Sequence, residues 1–278
     1  MEKIRCIICN SYNDSPFITL DDNKLSITHT FELVECNECK LIYLNPRFNN
    51  EQIKSFYGND YIPHKKTFLT FKDQLYNICQ KITFKWKKKI ISKYKKFPGY
   101  LLDVGSGNNK FADYMTFNKW KTTTYDTFIY DSNNITKLDD ISNNFFDIVT
   151  LWHSLEHIHD VELLLNNIIR ILKKDGFILI ACPNINAIER KIIKNKWIAY
   201  DVPRHLYHFS SKSLKKLLEK YNIEIIDIYR MPQDTVFNIT MSFKNRYLYK
   251  IVLIIYSLLL SLIFKRRSSS LLYICKLN

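Results

Sequence analysis

The sequence predicts an α/β chain, in which a doubly wound, seven-stranded sheet follows a small cysteine module. Three observations predict it. From Tyr100 onward, short apolar runs alternate with amphipathic runs in strand–helix–strand order, the pattern of a largely parallel sheet with helices on both faces. Two CxxC pairs, Cys6/Cys9 and Cys36/Cys39, stand ahead of it. A Lys-rich stretch separates the two parts and ends at Pro98-Gly99. With 278 residues, 46% hydrophobic and 14% aromatic, the chain is long and apolar enough to bury a substantial core, which excludes a disordered chain. Five Gly and seven Pro exclude collagen-like and low-complexity classes.

Residues 1–45 read as the cysteine module. Its CxxC pairs are separated by 26 residues. Each CxxC turn presents two sulfurs to one ion, and four thiolates complete a tetrahedral zinc shell. Cys6, Cys9, Cys36 and Cys39 are therefore expected to hold a structural zinc in a zinc-ribbon-like module that is too small to fold on apolar burial alone. A closed four-thiolate shell has no open position for catalysis. A thioredoxin-like redox pair would need a βαβ context that is missing here. Cys79, Cys182 and Cys275 are scattered in apolar surroundings. The odd cysteine count and the polar start Met1-Glu2-Lys3-Ile4-Arg5-Cys6 read as a reducing, cytoplasmic setting.

Residues 46–98 read as a connector with Pro46, Gly58 and Pro63, followed by a basic helical arm. Within 65–96 there are eleven Lys and one Asp, interleaved with Phe68, Phe71, Tyr76, Phe84, Trp86 and Tyr94. Residues 99–278 carry the sheet. Strands are expected at 100–104, 121–126, 135–138, 145–151, 177–182, 223–229 and 270–276, and helices at 109–118, 160–173, 185–195 and 211–221. An insertion at 231–268 separates the last two strands. It contains Ile251 to Phe264, fourteen residues without a charge. A helix of that length spans about 21 Å, short of the ~30 Å bilayer core. Lys250, Ser257, Ser261 and Lys265 share one narrow helical stripe, and the rest of the circumference is apolar. The pattern suits a buried helix, a homodimer contact or a peripheral membrane contact through 247–267.

The first strand runs into a glycine turn, Leu101-Leu102-Asp103-Val104-Gly105-Ser106-Gly107-Asn108. Glycine lets the backbone approach a ligand closely. The second strand ends at Asp126, where an acid can accept hydrogen bonds from ribose hydroxyls. Lys110 stands where a third Gly would complete GxGxxG, so the turn alone is a weak nucleotide signal.

Downstream motifs sharpen it. Phe146-Asp147-Ile148-Val149-Thr150-Leu151-Trp152-His153-Ser154-Leu155-Glu156-His157 is a strand leading into a polar, His-rich turn. Another strand ends at Ala181-Cys182-Pro183-Asn184. The block from Trp197 to Ser210 contains Asp201-Val202-Pro203-Arg204-His205-Leu206. This succession resembles the class I S-adenosylmethionine-dependent methyltransferases, and most closely their bacterial small-molecule branch, with its "LEH" element after strand four and its "W…D.PRHL..F" signature. Members often carry a CxxC…CxxC module in front. The resemblance covers nearly the whole chain and implies a Rossmann-like sheet. It implies that Asp103, Gly105, Ser106 and Gly107 hold the methionine moiety of S-adenosylmethionine, that Asp126 holds the ribose, and that Leu151, Trp152 and His153 line the site beside the sulfonium. The short spacing from Asp126 to Asp147 leaves the adenine contact open between Leu138, Asp139 and Asp140.

Methyl transfer requires a positioned acceptor and often a base. The candidates are His153, His157, Asp201, Arg204 and His205, with Glu156 beside them. His153-x-x-Glu156-His157 also resembles the cation-binding ExxEH element of quinone-type O-methyltransferases, with His in place of the first acid. Plainer readings stand beside these. Glu156 and His157 can cap a helix start, Asp201 and Arg204 can brace a loop, His205 and His208 can be packed histidines, and His159 can be a helix-entry residue. Three functions are in play. The first is a methyltransferase acting on a small acceptor such as a sugar, a lipid-linked compound or a quinone. The second is an RNA methyltransferase using the basic arm, disfavoured by the missing Asn/Asp-Pro-Pro-Tyr/Phe motif. The third is a non-catalytic cofactor-binding protein.

The net charge of +14 is concentrated. The arm, 65–96, contributes +10, and 243–278, with seven basic residues and no acid, contributes +7, leaving −3 for the remainder. The charge therefore belongs to docking elements and not to the sheet.

Overall fold

The computed structural model describes residues 1–21, 29–57, 71–126, 134–135, 137–243 and 245–278. Seven strands form the main sheet. In chain order they are β4 (Tyr100–Val104), β5 (Lys121–Tyr125), β6 (Asn134–Ile135), β7 (Phe146–Trp152), β8 (Leu172–Pro183), β10 (Ile223–Arg230) and β11 (Ser270–Leu277). Their spatial order is β10-β11-β8-β7-β4-β5-β6. The five strands from β4 to β8 run parallel, while β11 is antiparallel to both β8 and β10. The sequence predicts all seven strands. Of the third, expected at 135–138, the described residues pair at Asn134–Ile135, residue 136 lies outside the described residues, and Leu138–Asp140 forms a 3-10 turn instead of strand.

Amphipathic helices cover both faces. Helix α4 (Val161–Ile171) starts where the Asp160 carboxylate accepts the Leu163 N–H at 2.9 Å, an N-cap that satisfies one of the free amides of the first turn. Its Val161, Leu164, Leu165, Ile168 and Ile171 are buried on one stripe, each worth about 1.5–3 kcal/mol when fully buried. Helix α3 (Lys110–Phe117) and α6 (Ser211–Glu219) match expectation to within two residues. The helix expected at 185–195 is only Ile188–Ile193, α5. Lys194 takes φ +58°, which ends the α-helix and starts a 3-10 turn.

The arm is α2 (Phe71–Tyr94). Ile90 and Ile91, with Phe84, Trp86 and Tyr94, pack against Leu101, Phe111, Met115 and Ile148. Tyr94 also donates to Asp227 Oδ2 at 2.8 Å. Phe84, Trp86 and Tyr94 of α2 thus pack inward on the sheet and α3 and are not displayed for base stacking, whereas Phe97, just past the end of α2, is exposed. Phe68, Lys65 and Lys66 lie outside the described residues, as do the side chains of Phe71 and Tyr76.

The cysteine module is built on β1 (Asp14–Asp21), β2 (Thr30–Cys36) and β3 (Ile42–Leu44). A fourth strand, β9 (Tyr207–His208), comes from the far end of the chain. Ile42 pairs with His208 and Tyr43 with Tyr207. The Arg47 guanidinium donates to the Tyr207 hydroxyl at 2.9 Å. Phe31, Leu33 and Tyr43 belong to the same continuous core as Leu151, Leu165 and Leu206. Module and sheet therefore share one core. The short helix α1 (Asn50–Ile53) follows the module.

The insertion contains α7 (Pro232–Ser242) and α8 (Tyr247–Ile263). No helix among the described residues is long and apolar enough to cross a membrane.

Candidate active site

The chain leaves β4 through Gly105 (φ +72°) and Gly107 (φ +57°), values that a side-chain-bearing residue adopts only under strain. A Cβ on Gly105 would also collide with Cβ of Ser154. The Gly105 N–H donates to the Tyr125 carbonyl at 2.7 Å, and the Gly107 N–H to Asp126 Oδ2 at 3.0 Å. These bonds tie the ends of the first two parallel strands into one rim. Around it, Ser106 Oγ, Asn109 Oδ1, Trp152 Nε1 and Ser154 Oγ are buried without a hydrogen-bond partner among the described residues. Each unpaired polar atom costs about 1–3 kcal/mol. The rim therefore fits a close-bound polar ligand such as the amino-acid end of a cofactor.

Asp103, on β4, is buried and accepts the Thr150 hydroxyl at 2.7 Å. Burial pushes its pKa up to about 6, against the pull of Thr150 and Lys87. Lys87 is the one described arm lysine turned fully inward. Its ammonium sits 4.0 Å from the Trp152 ring centroid and 4.9 Å from that of Phe111. Burial holds its pKa down to about 8, partly offset by Asp103 and Asp234. Leu151 is fully buried in β7, paired to Val104 and Ile180, whereas Trp152 remains partly exposed.

Immediately after β7 the backbone turns sharply, with His153 at φ +55°. That turn sets the imidazole between two carboxylates, Nε2 at 2.9 Å from Asp234 Oδ2 and Nδ1 at 3.5 Å from Glu156 Oε1. Burial disfavours its charged form, but Asp234 and then Glu156 outweigh it and hold the pKa up to about 10. His153 is therefore protonated at neutral pH. Glu156, in the 3-10 turn Leu155–His157, is 0% exposed. Burial opposes its ionisation, yet His153, His205 and His157 keep its pKa below the usual glutamate value.

The remaining residues gather behind Glu156. His157 Nδ1–H donates to the Arg204 carbonyl at 3.0 Å and lies 2.9 Å from the Tyr57 hydroxyl. Burial, with His205 nearby, pushes its pKa down to about 3, so it is neutral. Arg204 is 2% exposed and donates Nε–H and Nη2–H to Asp201 Oδ1 at 3.0 and 2.9 Å. Nη1 reaches the Phe56 carbonyl at 3.4 Å. Asp201 and Arg204 thus brace the loop against the connector. His205 Nδ1–H donates to the Ala199 carbonyl at 2.8 Å, and the Leu206 N–H donates to the Glu156 carbonyl at 2.8 Å. Glu156, His157 and His205 each offer a ligand atom within 4.8 Å of the others, a spacing that can hold a cation. His159 bonds the Phe48 carbonyl at 3.0 Å and stands apart from this cluster.

Cys6, Cys9, Cys36 and Cys39 also converge, with all four sulfurs within 4.8 Å of one another. The close pairs run between the two turns, Cys6 with Cys39 at 3.3 Å and Cys9 with Cys36 at 3.4 Å. A sulfur-ligated tetrahedral ion with ~2.3 Å bonds has sulfurs roughly 3.8 Å apart, so the donor set fits one ion.

Three participants escape the sequence reading, Lys87, Asp234 and Tyr57. Lys87 is one of many lysines in a basic stretch, with no local sign that it turns inward. Asp234 lies 81 residues beyond His153 in an insertion, and only the tertiary fold brings them together.

A family model described as a methyltransferase domain matches residues 73–228, more than half of the chain, and the chain belongs to that family. The crystal structure of 1,6-didemethyltoxoflavin-N1-methyltransferase from Burkholderia thailandensis, with 1,6-didemethyltoxoflavin and S-adenosylhomocysteine bound, covers 95% of this chain and 100% of its own, at TM-score 0.53 and 13% identity. A SAM dependent methyltransferase from Archaeoglobus fulgidus covers 70% of this chain and 93% of its own, at TM-score 0.49 and 18% identity. Among curated proteins no relative matches. The protein is a class I S-adenosylmethionine-dependent methyltransferase, with the sheet order and glycine rim described above.

Proposed function

We propose that this enzyme methylates a small-molecule acceptor held between the glycine rim and the Glu156 cluster. The observation that carries this reading is the enclosure of the polar cluster: Glu156, Arg204 and His205 are all buried. A folded RNA would need an open basic surface with displayed aromatics, and Phe84, Trp86 and Tyr94 of α2 are packed on the sheet and α3. The Burkholderia thailandensis structure holds a small heterocycle, which supports a small acceptor here by analogy of fold.

Asp103, Gly105, Ser106 and Gly107 would hold the methionine end of S-adenosylmethionine, Asp126 the ribose, and Leu151 and Trp152 the wall beside the methyl group. When bound, S-adenosylmethionine supplies an electrophilic methyl on a sulfonium, which leaves with the bond's electron pair as a thioether. The chain's own residues must align the acceptor and take its proton. His153 already carries a proton and acts as a positioning residue between Asp234 and Glu156. Neutral His157 is the base that the arrangement supports. Burial and the neighbouring His205 keep it unprotonated and ready to accept, and the Glu156 and Asp201 carboxylates offset part of the cost once it takes the proton. Asp201, Arg204 and His205 hold the loop that presents it. A second reading puts a divalent cation on Glu156, His157 and His205, favoured by a buried Glu156 carboxylate whose one close partner among the described residues is the long 3.5 Å approach of His153; full turnover after exhaustive chelation removes it. The four cysteines would hold a structural zinc, checked by elemental analysis showing one zinc per chain.

The test is a methyl-label assay. Cell extract is split into RNA, lipid, glycan and small-molecule fractions and incubated with methyl-labelled S-adenosylmethionine. The proposal expects label outside the RNA. Label confined to RNA overturns it.

A further inference from the structure

Helix α8 is inverted relative to an ordinary surface helix. Its buried residues are Lys250, Leu253, Ser257 and Ser261, so its narrow polar stripe faces the protein. Ser261 accepts from the Arg230 guanidinium at 3.2 Å. The apolar circumference faces outward, with Leu248 76% and Ile263 72% exposed and Ile255, Leu259, Leu262 and Phe264 about half exposed or more. Helix α7, packed alongside, adds exposed Val236, Phe237 and Met241. A contiguous apolar patch of this kind marks a docking surface. Basic residues surround it. Arg246 stands at the start of α8 and Lys265, Arg266 and Arg267 at its end, all exposed, while Lys191 on the neighbouring α5 and Lys194 just past its end are also exposed. Residues 243–278 contain no acid.

We propose that the outer face of α7 and α8 docks on an anionic phospholipid bilayer, with α8 lying in the plane of the headgroups. Charge selects this occupant. A second copy of the same face would set basic collar against basic collar. An anionic headgroup layer answers both features at once, with acyl chains for the apolar face and phosphates for its rim. Length excludes a span, since seventeen residues reach about 25 Å and a bilayer core needs ~30 Å. Asp234, which contacts His153, lies on the same α7, so docking brings the active site close to the membrane surface. The proposal does not depend on the identity of the acceptor.

Vesicle flotation of the full chain tests it, with phosphatidylglycerol/phosphatidylcholine vesicles against phosphatidylcholine alone. The protein should float with the anionic vesicles and much less with the neutral ones. A triple Lys265→Glu/Arg266→Glu/Arg267→Glu variant should partition at least about a hundredfold less, since each basic residue at an anionic surface contributes about fivefold. A Leu259→Glu/Ile263→Glu variant should also lose flotation. Both variants change exposed side chains, and unaltered melting temperature and S-adenosylmethionine binding confirm that they fold. Absence of flotation on anionic vesicles overturns the proposal, and so does flotation that both variants retain. Sedimentation equilibrium showing a dimer that Leu259→Glu dissociates would assign the face to a second copy instead.

Discussion

Charge placement at single residues determines what each histidine can do. His153 lies between Asp234 and Glu156, and its pKa rises to about 10. Because the folded value exceeds the ordinary 6.5, its stabilising contribution is complete below about pH 6.5 and is lost as pH rises through about 10. Asp234→Asn should bring the His153 NMR titration down by at least one pH unit and flatten that alkaline loss; an unchanged titration contradicts the pairing. His157 and His208 lie at about 3, mainly through burial. Their sign is opposite. The unfolded chain takes up these protons first, so stability should fall as pH drops from about 6.5 toward 3, measurable by denaturant melts across that window. Gly105 gives a steric test. Gly105→Ala should weaken S-adenosylmethionine binding at least tenfold by calorimetry. Adding Ser154→Gly should restore part of it, because the collision is with the Ser154 side chain. The glycine rim and Asp126 were legible in sequence because their spacing is local. The Asp234 contact was not, because nothing within several residues of either partner specifies it.

Elements show where periodicity informs and where it does not. The central strands β4, β7, β8 and β11 are legible as apolar runs, since strands buried on both faces need little else, whereas β5 and β10 carry Thr or charged residues and are legible from β-branched content and alternation. Strand β9 is not. Two residues carry no period, and Tyr207–His208 becomes a strand only because β3 is there to pair with it. Helix α8 is legible as a helix with a narrow polar stripe, but sequence alone cannot say which side meets the protein. The structure turns the stripe inward, toward Arg230. The link through β9 makes a prediction at this scale. Cys36→Ser, or metal removal, should destabilise the whole chain, and far-UV and Tyr/Trp fluorescence melts should shift down together. A separate early transition confined to the module would contradict the shared core.

At the scale of the molecule, three surfaces divide the work. The cysteine module and β9 hold the Arg204 loop from one side, the parallel sheet presents the glycine rim from the other, and the insertion supplies Asp234 between them. The excess positive charge lies mainly on α2 and the α8 region. Class and fold were readable from motif order along the chain. The assembly of the Glu156 cluster was not, because it joins turns from residues 153–157, 201–205 and 234 with Tyr57 of the connector. The most direct measurement is methyl transfer by His157→Gln beside wild type, with S-adenosylmethionine affinity measured in parallel. A general base contributes about 10²–10⁴-fold. The rate should fall by that order at neutral pH while the cofactor dissociation constant stays within a few fold. A His157→Gln enzyme that turns over at the wild-type rate would contradict the account.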